Sequence, residues 1–293
     1  MRIDELTSVL PGRVLAPGHD EWEAARRFHS GSGEPDLIVR ADSAADVVRA
    51  VEWAASESVP VGVRGGGHSA WGAVPGGLTV DLSALHVVEV DGTLVRVGGG
   101  AVWGHVAEVL ADHRLGISSG DTASVGVGGL TLGGGIGWMV RAWGLAADQL
   151  VGVELVTAAG DLIEVSADTH PELWWALRGG GGNFGVVTRF DFRAHPLPAV
   201  VFAVFGVPAD SRPALRAVRD LLRVAPRDLT VTFMDVPAMD PSAPAGATVS
   251  AVWIGDDLDA ARAVLAPLAG VDGVTEVEFG VRRYPDILLE TPA

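Results

Sequence analysis

Val59-Pro60-Val61-Gly62-Val63-Arg64-Gly65-Gly66-Gly67-His68-Ser69 decides the reading of this chain. The run 59–63, with valine at every second position, reads as a strand. It ends in three consecutive glycines and an imidazole. Glycine lets backbone N–H groups point at a bound group with no Cβ in the way, and a phosphate or pyrophosphate is the common beneficiary. A lone histidine is ordinarily a surface or core residue. His68 differs because the glycine run immediately precedes it, which sets a nucleophile-capable ring on the loop.

The flanking sequence builds a βαβ unit around this loop. Residues 35–39 read as a strand entry. Ser43 is a good helix N-cap, and 44–56 puts Val47, Val48, Val51 and Ala54 on one face at helical spacing. Downstream, 78–82 is a short strand. Residues 87–97 alternate around Asp91-Gly92, the strongest short hairpin signal. An amphipathic helix is expected over 101–112, a second hairpin over 153–165 around Ala159-Gly160, a short helix at 172–177 and a strand at 185–192. Pro196-Leu197-Pro198 marks a boundary. Beyond it comes a smaller α+β pattern: strand 200–206, helix 209–224, strands 229–235 and 247–254 joined by a Pro/Ala/Ser-rich loop at 237–247, helix 257–268 and strand 274–280. The expected domains are 1–198 and 199–293.

Composition excludes several chemistries. The 293 residues carry 21 basic and 37 acidic side chains, a net charge of −16. Such a surface repels nucleic acid and anionic membranes. Every basic residue is arginine, so a P-loop lysine and Schiff-base catalysis are absent. No cysteine is present, which removes disulfides, thiolate metal sites and Fe–S clusters. No secretory h-region follows Met1, and a cytoplasmic location is the default expectation. Residues 122–140 lack charge and approach bilayer length, yet seven of those 19 residues are glycine. Each would cost about 1 kcal/mol in a helix interior, so the stretch reads as buried, irregular backbone rather than a span.

The 39 glycines concentrate in four clusters: 65–67, 98–100, 126–137 and 179–185. Gly98-Gly99-Gly100-Ala101-Val102-Trp103-Gly104 sits between a strand and a helix, as a dinucleotide fingerprint does. However, its last glycine is one residue late and no acidic residue closes a second strand about 20 residues on. A tight strand-to-helix turn is the better reading there, with a Rossmann NAD enzyme as the weaker alternative.

Five motifs in order, from about Asp36 to Pro198, give the chain a specific resemblance. They are 64–69 with the strand 79–83 after it; Ser124-Val125-Gly126-Val127-Gly128-Gly129; Gly133-Gly134-Gly135-Ile136-Gly137; Gly144-Leu145-Ala146-Ala147-Asp148-Gln149; and 173–188, which contains Leu173-Trp174-Trp175 and Gly182-Asn183-Phe184-Gly185. In these the chain resembles the VAO/PCMH-type FAD-binding family, in its berberine-bridge-enzyme-like branch. The resemblance implies an α+β fold: a PCMH-type FAD-binding domain of two α/β subdomains, then an incomplete α+β substrate domain.

It also implies roles. The backbone of Arg64, Gly65, Gly66, Gly67, His68 and Ser69 would hold the FAD pyrophosphate, and His68 would bond covalently to the flavin 8α-methyl. Gly120, Asp121, Ser124, Val125, Gly128 and Gly129 would line the flavin and its ribityl chain. Gly133, Gly134 and Gly137 would permit close approach on the same side, and Val187 would meet the adenine end through its backbone. Some members attach flavin a second time through a cysteine; Thr122 stands at that position here, so the linkage would be single. The family's chains are considerably longer, and this one stops where they are midway through the substrate domain. Tyr284 is the only tyrosine. No catalytic base is assigned; Asp148 and His105 qualify by residue type only, and the sequence gives no reason to choose either. The function implied is oxidation of a small organic substrate by hydride transfer to flavin, with the small Val125 leaving room for O₂. The alternative is a truncated, non-catalytic FAD-binding fragment. Substrate, acceptor and oligomeric state are not encoded in any motif.

Overall fold

The computed structural model describes residues 3–29, 31–69, 74–235 and 247–290. Most of the expected 237–247 loop lies outside these. The first sheet contains Leu37–Arg40 (β1), Val61–Arg64 (β2) and Leu78–Asp81 (β3). Both β1 and β2 pair in parallel with β3, which lies between them, and Val14–Leu15 adds an antiparallel edge beside β1. The crossover helix is Ala44–Glu57 (α1), and Ser43 caps it by accepting from the Asp46 N–H at 3.2 Å. Its stripe of Val47, Ala50, Val51 and Ala54 packs with Leu37, Val39, Leu78 and Val80 in one core.

The second sheet is antiparallel throughout. It contains Val88–Asp91 (β4), Leu94–Gly98 (β5), Leu150–Val156 (β6), Leu162–Val165 (β7) and Val186–Arg193 (β8), in the order β7-β6-β8-β5-β4. Both expected hairpins form. Their turn glycines, Gly92 and Gly160, take φ of 58° and 88°, the left-handed region that L side chains avoid. Trp103–Asp112 (α2) packs Trp103, Val106 and Leu110 against Val95, Val97, Phe190 and Phe192. The two phenylalanines are wholly buried, and each contributes about 1.5–3 kcal/mol on leaving water.

The glycine-rich stretch 122–140 is more regular than its composition suggests. Val127–Leu132 is a helix (α3), with Gly128 and Gly129 inside its first turn. Burial of Val127, Thr131 and Leu132 offsets the glycine cost. Among the described residues, no helix is long and apolar enough to cross a membrane.

A third sheet follows Pro198. Val200–Val207 (β9), Leu229–Met234 (β10), Ala247–Ile254 (β11) and Thr275–Arg282 (β12) lie in the order β10-β11-β9-β12. Arg212–Val224 (α5) and Leu258–Ala269 (α6) cover one face, after Pro171–Leu177 (α4) earlier in the chain. Helix α5 begins three residues later than 209, because Pro213 fits only the first turn of a helix. The third sheet is fastened to the rest by a shared core of Val200, Val252, Tyr284 and Ile287 with Ala107, Trp138 and Met139. Arg141 adds a polar clamp, its guanidinium donating to the carbonyls of Leu222, Ala225, Pro226 and Leu229.

Candidate functional site

A cavity of about 510 Å³ lies between the first two sheets, within the usual range for small-molecule and cofactor sites. Its wall begins where β2 ends. Arg64, Gly65, Gly66, Gly67, His68 and Ser69 all line it, with Leu82 from just beyond β3. Ligands in parallel sheets characteristically meet the carboxyl ends of the strands, where loops can converge. The opposite walls come from Gly99 after β5, from Val125, Gly126, Gly128 and Gly129 at the start of α3, and from Gly181, Gly182, Gly185, Val186, Val187 and Phe190.

Glycine has two different jobs in this wall. At Gly66 and Gly126 two loops press backbone to backbone: a Cβ built on either would sit 2.3 Å from the amide nitrogen of the other. At Gly129 a Cβ would meet nothing within 4 Å, so the missing side chain leaves room in the cavity rather than between protein segments. Gly67 takes φ of 71°, the left-handed region that side-chain-bearing residues rarely adopt. The loop amides of Gly65, Gly66, Gly67 and His68 have no acceptor among the described residues. A run of unsatisfied N–H groups in a glycine turn is a nest for an anion, which fits a pyrophosphate. The arginine of the loop is committed elsewhere. Its guanidinium donates to the Ala25 carbonyl and lies 3.7 Å from Asp81, so Arg64 contributes backbone to the cavity and anchors the loop with its side chain.

His68 stands on this wall, with Nε2 2.8 Å from Ser124 Oγ. Its ring stacks on that of His29, centroids 4.6 Å apart and planes 12° from parallel. Burial, and then the neighbouring His29, lower the His68 pKa below the ordinary histidine value, which favours the neutral ring.

The structure therefore gathers Arg64 to Ser69, Val125, Gly128, Gly129 and Val187 around one cavity, with Ser124 on its histidine. It sets the other candidates outside the lining. Gly120 accepts from the Tyr284 hydroxyl at 3.3 Å. Asp121 is exposed and accepts from the Leu289 amide through its carbonyl. Gly137 is packed so tightly that a Cβ would lie 1.1 Å from the Ser119 carbonyl oxygen. Gly134 takes φ of 112° at the end of α3, beside Gly133. Here these glycines meet neighbouring backbone or side chains, or turn the chain. Asp148 closes a turn by accepting from the Leu145 amide at 2.9 Å, and His105 is exposed on α2; neither reaches the cavity. Phe28, Leu130 and Phe190 supply apolar lining that no motif announced, and Leu82 adds more from the strand motif 79–83.

Residues 35–166 match a family described as an FAD binding domain. (R)-6-hydroxynicotine oxidase of Paenarthrobacter nicotinovorans is 33% identical over 290 residues, 95% of this chain and 62% of that protein. The crystal structure of 6-hydroxy-D-nicotine oxidase from Arthrobacter nicotinovorans shares 32% identity at a TM-score of 0.84, covering 95% of this chain and 63% of the other. Glucooligosaccharide oxidase from Acremonium strictum, whose FAD is described as 6-S-cysteinyl, 8α-N1-histidyl, shares the fold at a TM-score of 0.83 and 24% identity, covering 96% and 61%. The chain spans about three-fifths of the length of these relatives. The segment 35–166, which carries His68 and the glycines of both facing loops, matches the FAD-binding domain, and nearly the whole chain is similar to VAO-type FAD-linked oxidases.

Proposed function

We infer that the protein is an FAD-dependent oxidoreductase that oxidises a small organic molecule and holds its flavin by one covalent bond to His68. The observation that carries this reading is the cavity itself: a glycine loop whose amides at 65–68 have no acceptor among the described residues, an open glycine wall at Gly129 and a histidine whose pKa burial lowers all border one space. FAD supplies the hydride acceptor, and the protein supplies position and environment. The loop amides of 65–68 would take the pyrophosphate. Val187 would lie toward the adenine end, and Val125, Gly128 and Gly129 toward the flavin and ribityl chain. Val125 is compact enough to leave O₂ access, which favours an oxidase over a dehydrogenase. This chain has no cysteine, so a second thioether to the flavin is absent. Thr122 instead donates to the Asp121 carboxylate at 3.0 Å.

The test is expression with riboflavin supplied, followed by denaturation in acid. Yellow colour should stay with the wild-type chain and wash away from His68→Ala. A folded wild type that releases all its flavin on denaturation would defeat the covalent reading, and one that never binds FAD would defeat the whole assignment.

A further inference from the structure

We propose that Tyr284 and the backbone of Leu289 are positioning residues for the flavin site, holding the loop 119–123 that sets the Val125–Gly126 wall of the cavity. The proposal rests on the flavin reading above and adds what fixes one wall of that site from outside the FAD-binding segment.

Val125 and Gly126 line the cavity, but the residues leading to them form neither helix nor sheet strand. A backbone without a ladder of its own takes its shape from whatever satisfies its N–H and C=O groups. At one end of this loop the Ser118 N–H donates to Gln149 Oε1 at 2.8 Å. At the other, the Gly104 N–H donates to the Ala123 carbonyl at 2.8 Å and the Trp103 N–H to the Val125 carbonyl at 2.9 Å. Between these anchors the loop leans on the segment that follows β12. The Tyr284 hydroxyl lies 2.8 Å from Ser119 Oγ and donates to the Gly120 carbonyl at 3.3 Å. The Leu289 N–H donates to the Asp121 carbonyl at 2.7 Å, and the Leu289 carbonyl accepts from the Ala123 N–H at 2.9 Å. The last two bonds make a parallel bridge centred on Thr122.

The supporting segment is itself fixed. It makes one tight turn at Pro285–Ile287. Tyr284, Ile287 and Leu288 are buried in the core shared with Ala107, Trp138 and Met139, and Arg283 pairs with Glu108 of α2 at 2.8 Å. The wall has little room to give on its far side, where Gly126 meets the Gly66 backbone. A displacement at 119–123 is therefore passed along to Val125, two residues on, rather than absorbed. Ala123 is the joint: its N–H reaches the supporting segment and its carbonyl reaches the start of α2. Support of the loop and occupation of the cavity then reinforce each other, and by linkage the coupling is the same in both directions.

Contacts that only fastened the third sheet would change the melting temperature and leave the FAD affinity of the folded protein alone. The experiment separates the two roles. It uses the full chain in a His68→Ala background, where FAD binding stays reversible, and measures Kd by flavin fluorescence quenching well below every melting temperature. Tyr284→Phe, which deletes only the hydroxyl, should raise Kd about three- to tenfold, the worth of one hydrogen bond, and should alter the visible circular dichroism of the FAD-saturated protein. Ser119→Ala should also raise Kd, and the double variant should raise it by less than the product of the two, because both substitutions break the same contact. Val218→Ala is the stability control. It opens the separate core beneath α5 and should lower Tm while keeping the parental Kd. Parental Kd and spectrum in Tyr284→Phe would overturn the proposal. So would a loss of affinity in Val218→Ala as large as that in Tyr284→Phe, or Ser119 and Tyr284 effects that multiply independently. A folded wild-type chain that takes up no FAD would defeat the flavin reading beneath the proposal, an outcome distinguishable from the others because it needs no variant.

Discussion

Gly129→Ala and Gly66→Ala should act in opposite directions on stability and in the same direction on flavin binding. Both glycines line the cavity, but the space beside them differs. An alanine methyl at 129 meets no protein atom within 4 Å, and the position is inside a helix turn with ordinary backbone. The substitution therefore removes the helical cost of glycine, about 0.5–1 kcal/mol, and should raise the apoprotein Tm by about 1–3 °C. The same methyl occupies room the flavin needs. Overpacking of a fitted site costs about 1–3 kcal/mol, which is about five- to hundredfold in Kd. At Gly66 the new methyl would lie 2.3 Å from the Gly126 nitrogen and 2.7 Å from its Cα. Backbone atoms cannot swing aside, so the loops must part. Gly66→Ala should lose about 1–3 kcal/mol and several degrees of Tm even without flavin. The assay is a thermal melt of each apoprotein with an FAD titration in a His68→Ala background, where binding stays reversible. If Gly129→Ala binds FAD as tightly as its parent, the open space at 129 is not cofactor space, and the orientation argued for the cavity fails.

Two further predictions concern the fastening of the third sheet. The Tyr284 hydroxyl is buried against Ser119 Oγ at 2.8 Å, and burial pushes its pKa well above the ordinary tyrosine value, with the Ser119 hydrogen bond opposing this in part. A raised folded-state pKa contributes stability that is present below the unfolded value of about 10 and is lost as pH rises above it. Tyr284→Phe should cost about 1–2 kcal/mol at neutral pH and flatten the alkaline fall in stability; an unchanged slope between pH 9 and 12 in urea titrations would contradict it. Arg141→Ala should cost about 2–3 kcal/mol, because it strands four carbonyls between the end of α5 and the start of β10. Arg141→Lys should recover less than half of that, since an ammonium cannot reproduce the guanidinium fork. Equal urea midpoints for the two variants would refute the clamp.

The secondary structure was readable where local chemistry and tertiary demand agreed. Asp91-Gly92 and Ala159-Gly160 form turns because their glycines take positive φ, a requirement that acts within two residues. Ser43 caps α1 through its own side chain. The order of strands was not readable in this way. That β3 lies between β1 and β2 depends on a parallel pairing across the whole crossover, and no residue in the intervening sequence encodes it alone. Where tertiary packing outweighed propensity, as in the glycine-bearing helix 127–132, the composition pointed to the wrong local state.

The site shows a sharper limit on what residues declare. Glycine is demanded by three distinct conditions, a ligand's approach, a neighbouring backbone and a left-handed φ, and the letter is the same for each. Gly129 faces open cavity, Gly137 faces the Ser119 carbonyl at a separation only hydrogen can tolerate, and Gly134 turns the chain at φ of 112°; all three fall in one cluster of the sequence. Motif spacing identified the cluster as important without dividing it among these uses. His68 escaped the ambiguity because an imidazole after three glycines has few structural reasons to be there. His29 did not stand out at all, since what places it here is its stacking on a ring 39 residues away in sequence and 4.6 Å away in space. The division of the glycine cluster is therefore a physical question that substitution answers one residue at a time. A methyl at 129 should leave the fold intact and weaken flavin binding, whereas a methyl at 137 should disrupt the packing whether or not a flavin is present.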